Sequence, residues 1–200
     1  MKDAARGALF PNQITGLAAA IGTVQALESP ADALMRAFFR HHPQMGRQDR
    51  AFVSDGVFAY LRRKRSLEML ADTNDPRKLA LAIVMRENNA SVRELESALK
   101  TSESEWLSAF KGRQQMPLPP DVQADLPEWL WVKLLDAVGA DERAALALAW
   151  QAPAAVDLRV NTMKITREEA LAALAADGIQ ATATPYSPVG LRVSGRLPLA

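Results

Sequence analysis

The chain has no cysteine. Disulfides, thiolate metal sites and a cysteine nucleophile are therefore excluded from these residues, and the lack accords with a reducing compartment. Histidine is nearly as scarce. His41 and His42 are the only two, and adjacent side chains diverge on a helix instead of converging on a metal. They read as a solvated helix end, with a phosphate contact as the functional alternative. No two glycines stand as Gly-x-Gly, so no glycine-rich loop for a dinucleotide or an adenosyl cofactor is expected. The carboxylates occupy capping and surface positions, with no pair isolated among apolar residues. Residues 1–13 contain no apolar run after their basic residues, so no signal peptide is read there. No apolar stretch reaches the length of a membrane span. The expectation is a cytoplasmic protein with no catalytic, cofactor-binding or metal-binding residue in these 200 positions.

What is present is an ordinary globular composition, 48% hydrophobic and 24% charged, enough to bury a core. The formal charge of +1 conceals an asymmetry. Between Arg36 and Arg65 eight cations face only Asp49 and Asp55, a local charge of +6 that leaves −5 for the rest of the chain. One basic region on a mildly acidic molecule points to a polyanionic partner, of which nucleic acid is the commonest.

Apolar residues at helical spacing (Ile14, Leu17, Ile21, Val24, Leu27) predict a first helix over about 12–28. Ser29-Pro30-Ala31-Asp32 opens a second, with Ser29 as its cap. A long helix from about Arg47 to Ala71 follows. Asp75-Pro76, Ser91 to Glu94 and Ser102 to Glu105 start three more, the last burying Trp106, Leu107 and Phe110. Pro117, Pro119, Pro120 and Pro127 then interrupt the pattern. Residues 116–125 accordingly read as a linker between an all-helical domain, 1–115, and a second part, 126–200. That second part has a helix bearing Trp129 and Trp131, expected in the core, closed by Gly139. Next come another helix, a period-two strand over Ala155–Asn161, a capping box from Thr166 to Glu169 and a helix closed by Gly178. Short strands are expected at 179–184 and 191–193. The fold class is mainly α: a helical bundle followed by a small, incomplete α+β unit whose few strands leave a sheet edge bare, as a truncated domain would.

The sharpest chemical feature is the run Arg62-Arg63-Lys64-Arg65. With Arg47 and Arg50 at the start of the same expected helix, it would make one phosphate-binding field. The competing reading is a solvated face paired with local anions such as Asp55 or Glu68. Arg159 and Asn161 share one face of the expected strand, and with Lys164 they form a second candidate.

Gly46-Arg47-Gln48-Asp49-Arg50-Ala51-Phe52 through Tyr60-Leu61-Arg62-Arg63, preceded by Pro30-Ala31-Asp32-Ala33-Leu34, resembles the helical domain of NusB-type RNA-binding proteins. It is most similar to the version fused in front of Sun-type ribosomal RNA cytosine-5 methyltransferases. Leu126-Pro127-Glu128-Trp129-Leu130, Gly139, Ala152-Pro153, Leu158-Arg159-Val160-Asn161, Lys164, Thr166, Leu174 and Gly178-Ile179 follow the same family in order and spacing. The resemblance implies an S-adenosylmethionine-dependent parent enzyme that methylates carbon 5 of a cytosine in small-subunit ribosomal RNA. Its catalytic cysteines would lie in a C-terminal methyltransferase domain beyond these residues, so this chain would bind RNA and catalyse nothing. A stand-alone antitermination-type factor and a helical protein-interaction module are the alternatives.

Overall fold

The computed structural model describes residues 11–87, 90–152 and 154–194; residues 1–10, most of the segment read for a signal peptide, lie outside them, as do 195–200. The chain divides into two compact units, 1–151 and 152–200.

The first unit is helical: α1 (Pro11–Val24), α2 (Ala31–His41), α3 (Arg47–Arg62), α4 (Lys64–Ala71), α5 (Pro76–Glu87), α6 (Val92–Leu95), a 3-10 turn (Glu96–Ala98), α7 (Glu103–Arg113), α8 (Pro120–Gln123), α9 (Glu128–Val138) and α10 (Ala140–Trp150). Its centre is α5, where every residue from Leu79 to Met85 is buried. A helix apolar on all sides must be surrounded, and α1, α3, α4 and α7 surround it. Asp75 and Pro76 start α5 as expected: the Asp75 carboxylate accepts the Arg77 N–H at 2.9 Å, and proline suits the first helical position. The α1–α3 crossing is close enough to require Gly56, where a Cβ would stand 2.6 Å from Leu17 Cδ1.

Several expectations are corrected. The helix over 47–71 is two helices, broken at Arg63 (φ −124°, ψ 24°). Ser91 forms its capping box, but Ser102 does not cap α7. The Glu103 carboxylate, at the first position of α7, accepts from Arg77 and from the Lys100 N–H. Pro30, not Ser29, stands at the cap position of α2. The proline-rich stretch read as a linker contains α8, and Val122 and Ala124 within it are buried. The compact units part at Gln151 instead.

The second unit holds β1 (Val156–Arg159), α11 (Arg167–Ala176), β2 (Ala181–Ala183) and β3 (Gly190–Val193). The sheet order is β1-β3-β2, with β3 antiparallel to both neighbours. β1 and β2 are thus parallel, joined through α11 and split by β3, a split β-α-β arrangement. Leu158 lies opposite Leu191, and Val160, Leu191 and Val193 are buried. By strand alternation the other face presents Asp157, Arg159 and Arg192, and Arg192 grips Asp157 at 2.7 and 2.8 Å. Thr166 and Glu169 form the expected capping box of α11. Gly178, at φ 76°, ends that helix. The N–H groups of Ile179 and Gly178 donate to the Leu174 and Ala175 carbonyls at 2.8 and 3.0 Å, a Schellman ending that needs a residue tolerant of positive φ.

Candidate nucleic-acid interface

The structure divides the basic region by what each cation touches. Arg63, Lys64 and Arg65 point inward. The Nε of Arg63 meets Glu87 at 2.7 Å and its Nη1 donates to Gln151. Lys64 holds Glu68 at 2.8 Å. Arg65 pairs with Asp121 at 2.8 Å and donates to the Leu126 carbonyl. The break at Arg63 is what allows this. On one continuous helix four successive cations would repel one another, whereas after the break three of them reach three different carboxylates. Beside them Ser66 donates its backbone N–H and its hydroxyl to Asp125, both at 2.8 Å. Burial pushes the Asp125 carboxyl above its ordinary range, against the opposing pull of the Ser66 hydrogen bonds and of Arg86 and Arg63. Burial together with the nearby Arg63 charge lowers Arg86. This cluster clasps residues 121–126 to α4. The Lys64 head lies against Glu68 and over the Tyr60 ring.

Arg50 is also engaged, its Nε donating to the Met45 carbonyl at 2.9 Å and its guanidinium lying 5.5 Å from the Phe39 ring centre. Both histidines donate from Nδ1 to carbonyls of their own helix, and His42 stacks on Phe38. Arg36 forms an exposed i,i+4 pair with Asp32. Arg40, Arg47 and Arg62 have no ion pair or hydrogen bond from their side chains among the described residues. Arg62 lines a hollow shared with Asp55 and Glu87. Arg47 and Arg62 are the first and last residues of α3, about 22 Å apart at the rise of an α-helix. That exceeds two screening lengths at physiological salt. Two separate patches result where the sequence suggested one field: Arg40 and Arg47 near the α2–α3 connection, and Arg62 at the far end.

In the second unit the turn after β1 is organised by Asn161. Its side-chain oxygen accepts the Met163 N–H at 3.2 Å and its carbonyl accepts those of Lys164 and Ile165. Asn161 is thus the frame of a turn that presents Lys164. Arg159 and Lys164 are exposed, with no partner among the described residues. Met163 and Tyr186, neither singled out by the sequence, are 93% and 99% exposed. The signal for Tyr186 was its place between Pro185 and Pro188, which no interior strand accepts.

The tryptophans expected in the core are not buried there. Trp129 is 62% exposed, with Lys133 over its ring. Trp131 carries the Arg143 guanidinium 3.9 Å from its centre. Val132, Leu148 and Trp150 are exposed too, which leaves α9 and α10 with unusually apolar surfaces. Among the described residues no cluster of histidine, aspartate and glutamate could hold a metal, and no helix is long and apolar enough to cross a membrane.

Residues 126–200 match the family model described as "Methyltr_RsmF/B-like, ferredoxin-like domain". The order β1–α11–β2–β3, with β3 between its neighbours, corresponds to the first four elements of a ferredoxin-like β-α-β-β-α-β unit. The crystal structure of PH0851 superposes with a TM-score of 0.59 at 16% identity, over 96% of this chain and 50% of that one. That likeness concerns the fold, and the chain spans half the length of PH0851. No curated protein matches the chain.

Proposed function

We propose that the chain is the RNA-binding front part of a ribosomal RNA cytosine-C5 methyltransferase, positioning small-subunit rRNA for a C-terminal catalytic domain. The observation that carries this reading is the match of residues 126–200 to the RsmF/B-like methyltransferase domain. The basic patches of the first unit, a NusB-like bundle in this reading, add the sequence-independent phosphate attraction that such positioning needs. The outward cations Arg40, Arg47 and Arg62 are its contacts there, and Arg159 and Lys164 in the second unit. Arg50, Arg63, Lys64 and Arg65 hold the elements of the first unit in place, and Asn161 shapes the turn that carries Lys164.

The methyl donor of such an enzyme is S-adenosylmethionine, and these residues do not fit it. The described sheet is antiparallel. The turns beyond β1 and β2 are built from Asn161–Ile165 and Pro185–Pro188, not from glycines that would let a cofactor approach the backbone. The Asn161 side-chain oxygen and carbonyl and the Ser187 carbonyl are taken up in closing these turns. With no cysteine in the chain, the nucleophile that adds to the pyrimidine ring must also come from elsewhere. These residues bind and orient RNA, and the chemistry belongs to the rest of the parent enzyme.

A stand-alone antitermination factor would leave the match over 126–200 without a use. A protein-interaction role is favoured by one observation, the exposed Trp129, Val132, Leu148 and Trp150 of α9 and α10, and it is compatible with RNA binding elsewhere on the chain. Fluorescence anisotropy with labelled fragments of small-subunit rRNA tests the reading. Saturable binding that weakens with salt is expected, together with no heat of S-adenosylmethionine binding by calorimetry. Absence of RNA binding at low salt overturns it.

A further inference from the structure

We infer that the loop end of the sheet in the second unit receives an unpaired RNA base on the ring of Tyr186, with Arg159 and Lys164 contacting the adjoining phosphates. The inference rests on the RNA-binding reading and adds to it a place, a contact mode and a preference for unpaired strands. A single exposed aromatic is common on protein surfaces, so exposure alone decides nothing. The construction of the loop does. Tyr186 stands between Pro185 and Pro188, whose rings restrict the backbone. The Thr184 N–H donates to the Gly190 carbonyl at 3.0 Å and the Gly190 N–H to the Ser187 carbonyl at 3.3 Å. The Thr184 hydroxyl and an Arg167 Nη1 donate to that same Ser187 carbonyl, at 3.4 and 3.5 Å. A Cβ at Gly190 would collide with the Thr184 hydroxyl and approach Ser187 Cβ to 3.0 Å, so the loop is drawn tight around its own polar groups. It holds an almost fully exposed phenol ring, 99% accessible, on a stiff base. Such a ring has two side-chain torsions to lose, so little ordering cost opposes binding.

The neighbours supply the charge. β1 and β3 are paired so that Arg159 lies opposite Gly190, and the Val160 N–H donates to the Val189 carbonyl at 2.9 Å. The turn over 161–165, with Lys164 and the 93% exposed Met163, therefore leaves the sheet at the same end as the Tyr186 loop. The carboxylates nearby are engaged: Asp157 by Arg192, Glu168 by Arg167 and Glu169 by its capping box. Two unengaged cations beside an aromatic platform are the combination that binds single-stranded nucleic acid, where each base offers a face and each phosphate a charge. A duplex hides its base faces, which selects the unpaired strand.

The test uses the full 200-residue chain, a labelled unpaired oligoribonucleotide of about eight residues and a blunt-ended RNA duplex of about matching length. Tyr186→Ala is expected to weaken the unpaired strand about 5- to 150-fold, the range found for loss of one base–aromatic stack. Tyr186→Phe should retain affinity, and the duplex should be bound equally by all three proteins. Unchanged circular dichroism establishes that the alanine variant is folded. Arg159→Ala with Lys164→Ala should weaken both RNAs and flatten the salt dependence. If that double variant weakens RNA but Tyr186→Ala does not, or if Tyr186→Ala weakens both RNAs alike, the stacking site is overturned and the RNA-binding reading stands. If the unaltered chain binds neither RNA, both fall.

Discussion

Arg77 and Glu103, 26 positions apart in the chain, form a buried ion pair that no local pattern announces. Glu103 is the first residue of α7, its side chain is 7% exposed, and it pairs with Arg77, itself 18% exposed. Arg77 also donates to the Ala98 carbonyl at 2.7 Å, so one ion pair ties α5 to the turn before α7. Burial would raise the Glu103 carboxyl. The hydrogen bonds from Arg77 and the Lys100 N–H outweigh it and hold the group below the ordinary glutamate range. The folded state therefore binds its proton less readily than the unfolded chain. The stabilisation is full above the ordinary glutamate value and is lost as pH falls through the lower, folded one. Glu103→Gln is expected to cost about 3 kcal/mol at neutral pH, because it leaves a largely buried guanidinium without its carboxylate. It should also flatten the acid side of the stability curve. Urea unfolding of both proteins across the acid range checks this, and parallel curves would show that Glu103 contributes no such linkage.

At the scale of elements, the break at Arg63 and the clasp of residues 121–126 are one device. The expected long helix would have sent its basic run along one axis. The break turns α4 so that Arg65, Ser66 and Arg86 surround the segment carrying Asp121 and Asp125. Asp125→Ala leaves the Ser66 N–H without its acceptor in a residue 1% exposed, a loss of about 1–3 kcal/mol. Asp125→Asn keeps an acceptor for that N–H and should cost far less. The pH dependence runs opposite to that of Glu103. A carboxyl raised by burial holds its proton better when folded, so its contribution is greatest below the ordinary aspartate range and declines as pH rises through the folded value. Asp125→Asn should remove that decline. In proteolysis with an enzyme of broad specificity, the unaltered chain should be cut first at the largely exposed residues 115–119. Asp125→Ala should extend cutting into 120–126, and an unchanged pattern would mean the clasp does not hold the segment.

Over the whole molecule, charge and hydrophobicity are distributed by use. Cations that meet carboxylates build the first unit, and under the proposed function those without partners among the described residues are the ones offered to a polyanion. Arg40→Ala with Arg47→Ala should leave stability within about 0.5 kcal/mol and make the salt dependence of RNA binding shallower by roughly one unit per lost contact. Arg63→Ala should do the reverse, costing on the order of 1–2 kcal/mol of stability through its lost bonds to Glu87 and Gln151 with little change in salt slope. Thermal unfolding and anisotropy at several salt concentrations, run on the same two variants, separate the roles. A shallower slope for Arg63→Ala alone would place the interface on the run from Arg62 to Arg65.

The sequence by itself determined the mainly helical class, the positions of most helices, the strand–helix–strand order near the end and the capping boxes at Ser91 and Thr166. These rest on periodicity, proline and glycine, which act within a few residues and so are written locally. It also marked the basic region as a whole, because charge is additive. Only the tertiary structure decided which cations are open. Glu87 lies 24 positions beyond Arg63 and Asp121 lies 56 beyond Arg65 in the chain, and no local pattern announces such partners. The same holds for the break at Arg63, the release of Ser102 from its expected cap and the exposure of Trp129. For the basic run, distant carboxylates changed the use of residues whose neighbours in sequence suggested another. Tyr186 belongs with them: its ring is left outward by a loop that closes on Gly190, and that closure exists only once β3 has paired with β1 and β2.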